Sequence, residues 1–169
     1  SDRSAEVAKK LGGQIIVNVQ ADHLGITRRD YDDVLKIMLS DHKIKYATIA
    51  KKIDSEMQLY DANRVKVLLD NKDDAIWFSR YPLPYLQGID DSLLNHFEFF
   101  YHIGVYFFRR PALLKYKGWP QGRYEKAESL EQLRILENHQ RIKVYKTKSR
   151  VFSIDIPEDL RFLKKIVLK

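Results

Sequence analysis

The run Ile15–Val19, reading IIVNV, constrains the fold of this chain more than any other segment. It is short, β-branched and apolar on both faces, which suits a strand covered on both sides in a parallel sheet. Segments with helical spacing flank it. Before it, SDRSAEVAKKLGG sets Ala5, Ala8 and Leu11 on one side of a helix and ends at Gly12, where a left-handed cap costs glycine little. After it the chain turns polar at Gln20, Asp22 and His23. Thr27 and Asp30 then form a capping-box signature ahead of Tyr31, Val34, Leu35 and Met38 at helical spacing. Strand, polar loop and helix in that order form the building unit of an α/β protein.

The rest of the chain continues the alternation. YATIA at 46–50, VKVLL at 65–69 and AIWF at 75–78 predict strands, the last two paired as a hairpin through the polar turn NKDD. FYHIGVYFF at 100–108 is strongly β-prone, and RPALLKY at 110–116 places proline in the first turn of a helix. KAESLEQLRILEN at 126–138 is rich in helix formers and predicts one continuous helix with Leu130, Leu133 and Leu136 facing inward. RIKVYKT at 141–147 and VFSIDI at 151–156 predict the last strands, and Pro157 opens a closing helix through Leu160, Leu163 and Ile166. The expected fold is a three-layer α/β sandwich with a mixed, mainly parallel sheet, in a single domain over residues 1–169. The irregular stretch from Pro82 to about Asn95 is long enough to suggest a lid or a partner surface.

Composition removes several function classes. The chain has no cysteine, which excludes disulfides and thiolate metal sites and makes the cytosol the expected compartment. The longest apolar stretches, at 15–17 and 105–108, fall far short of the roughly 20 residues of a membrane helix. The first ten residues mix both charge signs and lack the apolar core of a secretory signal. A net charge of +7 raises the question of an anionic partner. The basic residues, however, occur as scattered doublets such as Lys9–Lys10, Arg28–Arg29 and Lys51–Lys52, so solvated faces account for most of them and a nucleic-acid partner is not expected. No GxSxG, P-loop, GxGxxG or HExxH motif is present.

Ligands of open parallel sheets gather beyond the carboxyl ends of the strands, which draws attention to Gln20, Asp22, His23 and Asp155. Two carboxylates at one sheet edge suit Mg²⁺, a hard cation that takes oxygen ligands. Asp155 also fits a helix N-cap before Pro157, and Asp22 an ordinary turn. His102 interrupts an apolar strand and suits either a hydrogen-bonded core position or a ligand contact. Arg80 suits a substrate carboxylate or an internal acid. Glu125, Glu128 and Gln132, at i, i+3 and i+7, share one face of the expected helix.

Taken in order, VNVQADHLG (17–25), FSRYPLPY (78–85), YHIGVYFFRR (101–110), EKAESLEQLRILEN (125–138) and SIDIPEDL (153–160) resemble successive motifs of the 3-deoxy-manno-octulosonate (KDO) cytidylyltransferases. SDRSAEVAKKL resembles the helix after that family's Gly-Thr turn. The resemblance covers nearly the whole chain. It implies the nucleotide-diphospho-sugar transferase-like (Rossmann-like) fold, and a reaction joining KDO to CTP to give CMP-KDO and pyrophosphate for lipopolysaccharide assembly. It further implies Asp22 and Asp155 as ligands of Mg²⁺, Gln20, Arg80 and His102 as sugar-acid contacts with Arg80 facing the carboxylate, Glu128 and Gln132 on the sugar side, and a homodimer.

The sequence departs from the family in three places. Its loop normally reads Gln-Gly-Asp-Glu-Pro, whereas Gln20 is followed here by Ala21, Asp22, His23 and Leu24. Ala21 adds a methyl group where glycine admits close backbone approach, and His23 replaces an acid. Tyr81 stands where the family usually has serine. The family also begins with a basic phosphate-binding loop of the type Ala-Arg-x-x-Ser-x-Arg-x-Pro-x-Lys, and Ser1 is expected to lie after it, so that this segment is the C-terminal two-thirds of such an enzyme. A family member lapsed from catalysis, serving as a sugar-acid or partner binding module, is the alternative expectation.

Overall fold

The computed structural model describes residues 2–20 and 23–153. Its elements follow the expected alternation: α1 (Asp2–Lys10), β1 (Ile15–Val19), β2 (His23–Leu24), α2 (Arg28–Ser40), β3 (Tyr46–Lys52), α3 (Glu56–Tyr60), β4 (Lys66–Leu69), β5 (Ala75–Ser79), β6 (Phe100–Arg109), α4 (Arg110–Lys117), α5 (Arg123–Glu128), α6 (Leu133–Glu137), β7 (Lys143–Thr147) and β8 (Phe152–Ser153). The closing helix expected from Pro157 lies outside the described residues.

The main sheet runs β5-β4-β6-β3-β7, with β1 also paired to β6. Its strands β1, β3, β4 and β7 all point one way, which is the expected mainly parallel sense. Only the β3–β7 pair is parallel in contact, because β6 runs against its neighbours β1, β3 and β4. IIVNV is therefore a strand, but its bonded partner is antiparallel and its residues are only half-buried to exposed, unlike the fully covered strand its apolar pattern predicts.

Helices cover both faces. On one, Ala5 and Ala8 of α1, Leu113 and Tyr116 of α4, and Leu133 and Ile135 of α6 pack on Tyr46, Phe78, Tyr106 and Phe108. On the other, Val34 and Met38 of α2 and Leu59 of α3 pack on Ile49, Ile103, Val105 and Phe107. Burial of these side chains, at roughly 1.5–3 kcal/mol for each large one, supplies the main stabilisation. The Thr27–Asp30 capping box forms as its spacing predicts: Asp30 accepts from Thr27 N at 2.9 Å and from Thr27 Oγ1 at 2.6 Å. Leu11, expected on the buried side of α1, is 58% exposed, since the helix ends one residue earlier.

The predicted helix at 126–138 is broken. Ser129 takes a left-handed conformation (φ 56°), which ends α5 at Glu128, and Leu130 N bonds back to Glu125 O at 3.2 Å before α6 begins at Leu133. Local propensity favours continuity, but the bend buries Leu130 and Leu133 together and brings Arg134 back onto Glu125, and these tertiary gains prevail. The 82–95 stretch is irregular apart from a 3-10 turn at Leu93–Asn95, and Leu86, Leu93 and Leu94 pack against the second core.

Candidate active site

One edge of β6 is shared by two strands that part from each other. β1 pairs with its residues 105–109 and β4 with 100–101. In the gap, Gln20 N donates to Gly104 O at 3.2 Å and His102 N to Val65 O at 2.7 Å. A Cβ on Gly104 would overlap the Gln20 side chain. Glycine at 104 is therefore what lets Gln20 lie across β6, on the face that Gly104 shares with His102 and Tyr106 through strand alternation.

His102 is 7% exposed, and its Nε2 lies 2.8 Å from Thr48 Oγ1. The Thr48 hydroxyl has a single hydrogen, donated to Val105 O at 2.6 Å. Nε2 is therefore the donor to Thr48. Phe78 and Tyr106 contact the ring at centroid distances of 5.4 and 4.9 Å, fixing its plane. Tyr106 Oη donates to Gln132 Oε1 at 3.0 Å, and burial pushes the Tyr106 phenol well above its usual range, so it remains a donor. Gln132 is itself buried at the start of α6.

Arg80 follows directly on β5. Its Nε donates to Glu128 O and its Nη1 to Ala62 O, both at 3.0 Å. Glu128 holds the neighbouring backbone, accepting from Arg80 N at 3.0 Å through Oε2 and from Ser79 Oγ at 2.7 Å through Oε1. The guanidinium is thus anchored by neutral carbonyls, and among the described residues no carboxylate lies within ion-pair distance of it. Its Nη2 edge keeps two donors for an incoming acceptor.

The break at Ser129 corrects the expectation that Glu125, Glu128 and Gln132 share one helix face. Glu125 turns inward to Arg134, Glu128 goes to Ser79 and Arg80, and Gln132 goes to Tyr106. Gln20, Arg80, His102, Glu128 and Gln132 still gather around β5, β6 and the α5–α6 turn. Sequence reasoning missed Thr48 and Tyr106, which orient His102 and Gln132, and it missed Lys66. That lysine is 1% exposed, donates to Asp61 O at 2.9 Å, and is pulled down to about 8 chiefly by burial, opposed by Asp61 and helped by Arg80. A lysine in the apolar run VKVLL was the available signal.

Asp22 and Asp155 lie outside the described residues, and among the described residues no group of three or more His, Asp or Glu could hold a metal. The segments leading to both aspartates do meet. His23 pairs with Ser153 and Leu24 with Phe152, and Gly25 (φ 91°) sits so close to Arg150 O that a Cβ would overlap it.

The match to known proteins follows this architecture. The cytidylyltransferase family model matches residues 1–142. The chain belongs to the cytidylyltransferase family. The chain is 37% identical, over 98% of its own length and 64% of the relative's, to a 3-deoxy-manno-octulosonate cytidylyltransferase of Solibacter usitatus. It is 36% identical to that of Bdellovibrio bacteriovorus, over 99% and 67% of the two chains. Among solved structures it is similar to a CMP:2-keto-3-deoxy-manno-octonic acid synthetase complexed with CTP, with a TM-score of 0.88 and 30% identity over 99% of this chain and 67% of that one. HddC from Yersinia pseudotuberculosis shares the fold at a TM-score of 0.64 and 12% identity. The chain thus spans about two-thirds of the length of these relatives.

Proposed function

We propose that this chain is the sugar- and metal-binding part of a cytidylyltransferase that joins KDO, or a close eight-carbon sugar acid, to CTP, giving CMP-KDO and pyrophosphate for lipopolysaccharide assembly. The observation that carries this reading is Arg80, a guanidinium held by two carbonyls with a free edge and, among the described residues, no acid within ion-pair distance. A fixed planar fork of that kind suits a carboxylate. The names of the two relatives described above support the same substrate.

In this reading Arg80 binds the sugar carboxylate, and Gln20, His102 and Gln132 take its hydroxyls. Glu128 keeps Arg80 in place through the backbone. The anomeric hydroxyl, so positioned, attacks the α-phosphate of CTP, forming the new P–O bond as the bond to pyrophosphate breaks. Alignment and charge stabilisation supply most of the rate in such transfers. Asp22 and Asp155 are the residues that would hold Mg²⁺, which when bound neutralises charge on the α-phosphate and the leaving pyrophosphate. By the same reading the protein acts in the cytoplasm as a homodimer, with no nucleic-acid partner. Among the described residues no helix is long and apolar enough to cross a membrane. No observation favours the non-catalytic alternative.

The test is pyrophosphate release by the full-length protein, including whatever its reading frame encodes ahead of Ser1. Release from CTP is expected only when KDO and Mg²⁺ are both present. Release that ignores KDO, or none with all three components present, would contradict the reading.

A further inference from the structure

A second concavity lies by the amino ends of β3 and β7, where the β4–β5 turn meets them. Three loops distant in sequence line a cavity of about 400 Å³: the turn before β3 (Asp41, Lys43, Lys45), the β4–β5 turn (Lys72, Asp74) and the approach to β7 (His139, Arg141, Lys143). Five cations thus face two carboxylates, an excess of three positive charges with histidine neutral, in a chain whose whole net charge is +7. Both acids are already engaged. Asp74 holds Lys143 at 2.8 Å and Arg141 at 3.9 Å, and Asp41 accepts from the backbone N of Lys43 at 2.8 Å. Among the described residues Lys45 reaches only the neutral Gln140, at 3.5 Å. Among the described residues the ammonium groups of Lys43 and Lys72 have no hydrogen-bond or ion-pair partner.

Like charges gathered in one concavity repel one another, and field focusing between low-dielectric walls raises the local concentration of anions. The doublets that look scattered along the sequence are therefore not what the fold concentrates; single lysines from three loops are. The volume is that of a small-molecule pocket. A mix of lysine point charges and one arginine fork suits phosphate oxygens.

We propose that this cavity is a second anion site, distinct from the Arg80 region, that binds a diphosphate group, whether as free pyrophosphate or as the tail of a nucleotide. Lys43 and Lys72 supply the unpaired charge, and Asp74 holds Lys143 and Arg141 in position. Lys45 closes the wall beside Gln140.

The test is a titration of the isotopically labelled chain with inorganic pyrophosphate, read from backbone amide shifts. Saturable shifts are expected in the loops 41–45, 72–74 and 139–143, weakening with added salt. The Lys43→Glu/Lys72→Glu variant should lose affinity at these amides by at least about tenfold. A Lys9→Glu/Lys10→Glu variant, which removes the same charge from exposed positions on α1, should not, and both variants should keep the parent circular dichroism. Unchanged affinity in the Lys43→Glu/Lys72→Glu protein, equal losses in both variants, or no shifts in the three loops would overturn the proposal and leave ordinary solvated lysines. A parallel titration with CTP separates the sources: shifts at the same amides identify a nucleotide tail, and their absence beside a pyrophosphate response identifies the free anion.

Discussion

Glu125 and Glu128 stand three residues apart on α5 and meet arginine in opposite ways. Glu125 pairs with Arg134 through two short contacts, at 2.7 and 2.5 Å, and both side chains are almost wholly buried. Asp2 adds a second acid at 3.2 Å, and the guanidinium stacks 4.5 Å over the Tyr116 ring. Every charge there is consumed by the fold. Glu128 instead takes neutral donors, Ser79 and the backbone of Arg80, while Arg80 rests on carbonyl oxygens. The first arrangement closes a structure; the second leaves a cation ready for something else. A polar network that satisfies itself holds the α5–α6 turn, and one that stops a single partner short leaves the Arg80 fork with a free edge, where the sugar acid is proposed to bind.

The comparison breaks most directly at Arg134. Removing one partner of a buried pair strands the other, so Arg134→Ala should cost about 3–5 kcal/mol in chemical denaturation. A loss within the range of an exposed pair, under about 1 kcal/mol, would show that the bend at Ser129 does not depend on it.

A smaller effect comes from Lys66, whose charge sits among Asp61, Arg80 and Glu128. Burial lowers it to about 8, whereas in the unfolded chain a lysine titrates near 10.4. Between those values the unfolded chain binds more protons, so this group makes stability rise with pH from about 8 to about 10. Tyr46, pushed up to about 12 by burial, acts in the opposite sense at the alkaline end of that window and above. Denaturation midpoints of the parent and of Lys66→Met at pH 8 and 9.5 should show the parent rising relative to the variant. Parallel lines would mean that Lys66 keeps an ordinary lysine's affinity for its proton.

The elements were readable because their signals are local. Short β-branched runs, the NKDD turn, Pro111 near the start of α4 and the Thr27–Asp30 pair each act within a few residues, and each formed where its spacing predicts. The break at Ser129 was not readable, because nothing in KAESLEQLRILEN opposes a helix; its cause lies in Arg134 folding back onto Glu125. The wedge of antiparallel β6 between β1 and β3 escaped for a similar reason, since strand direction is settled by partners far away in sequence. Arg80 and His102 stood out as polar residues in apolar surroundings, but the residues that orient the site, Thr48 beside His102 and Tyr106 beside Gln132, read as ordinary strand residues. The basic cavity was invisible in a chain whose cations are scattered along its length as singles and doublets, and appears only when three loops converge.

Arg80 tests the central claim most directly. In the full-length protein, Arg80→Ala should raise KM for KDO by about ten- to hundredfold, as expected for one lost charge-assisted contact of about 1.5–3 kcal/mol. KM for CTP and the denaturation midpoint should stay close to those of the parent, because the fold draws on Arg80 only through exposed and half-buried carbonyls. A KM for KDO equal to the parent's, or a loss of affinity for CTP and of stability in equal measure, would contradict the assignment of this arginine to the sugar acid.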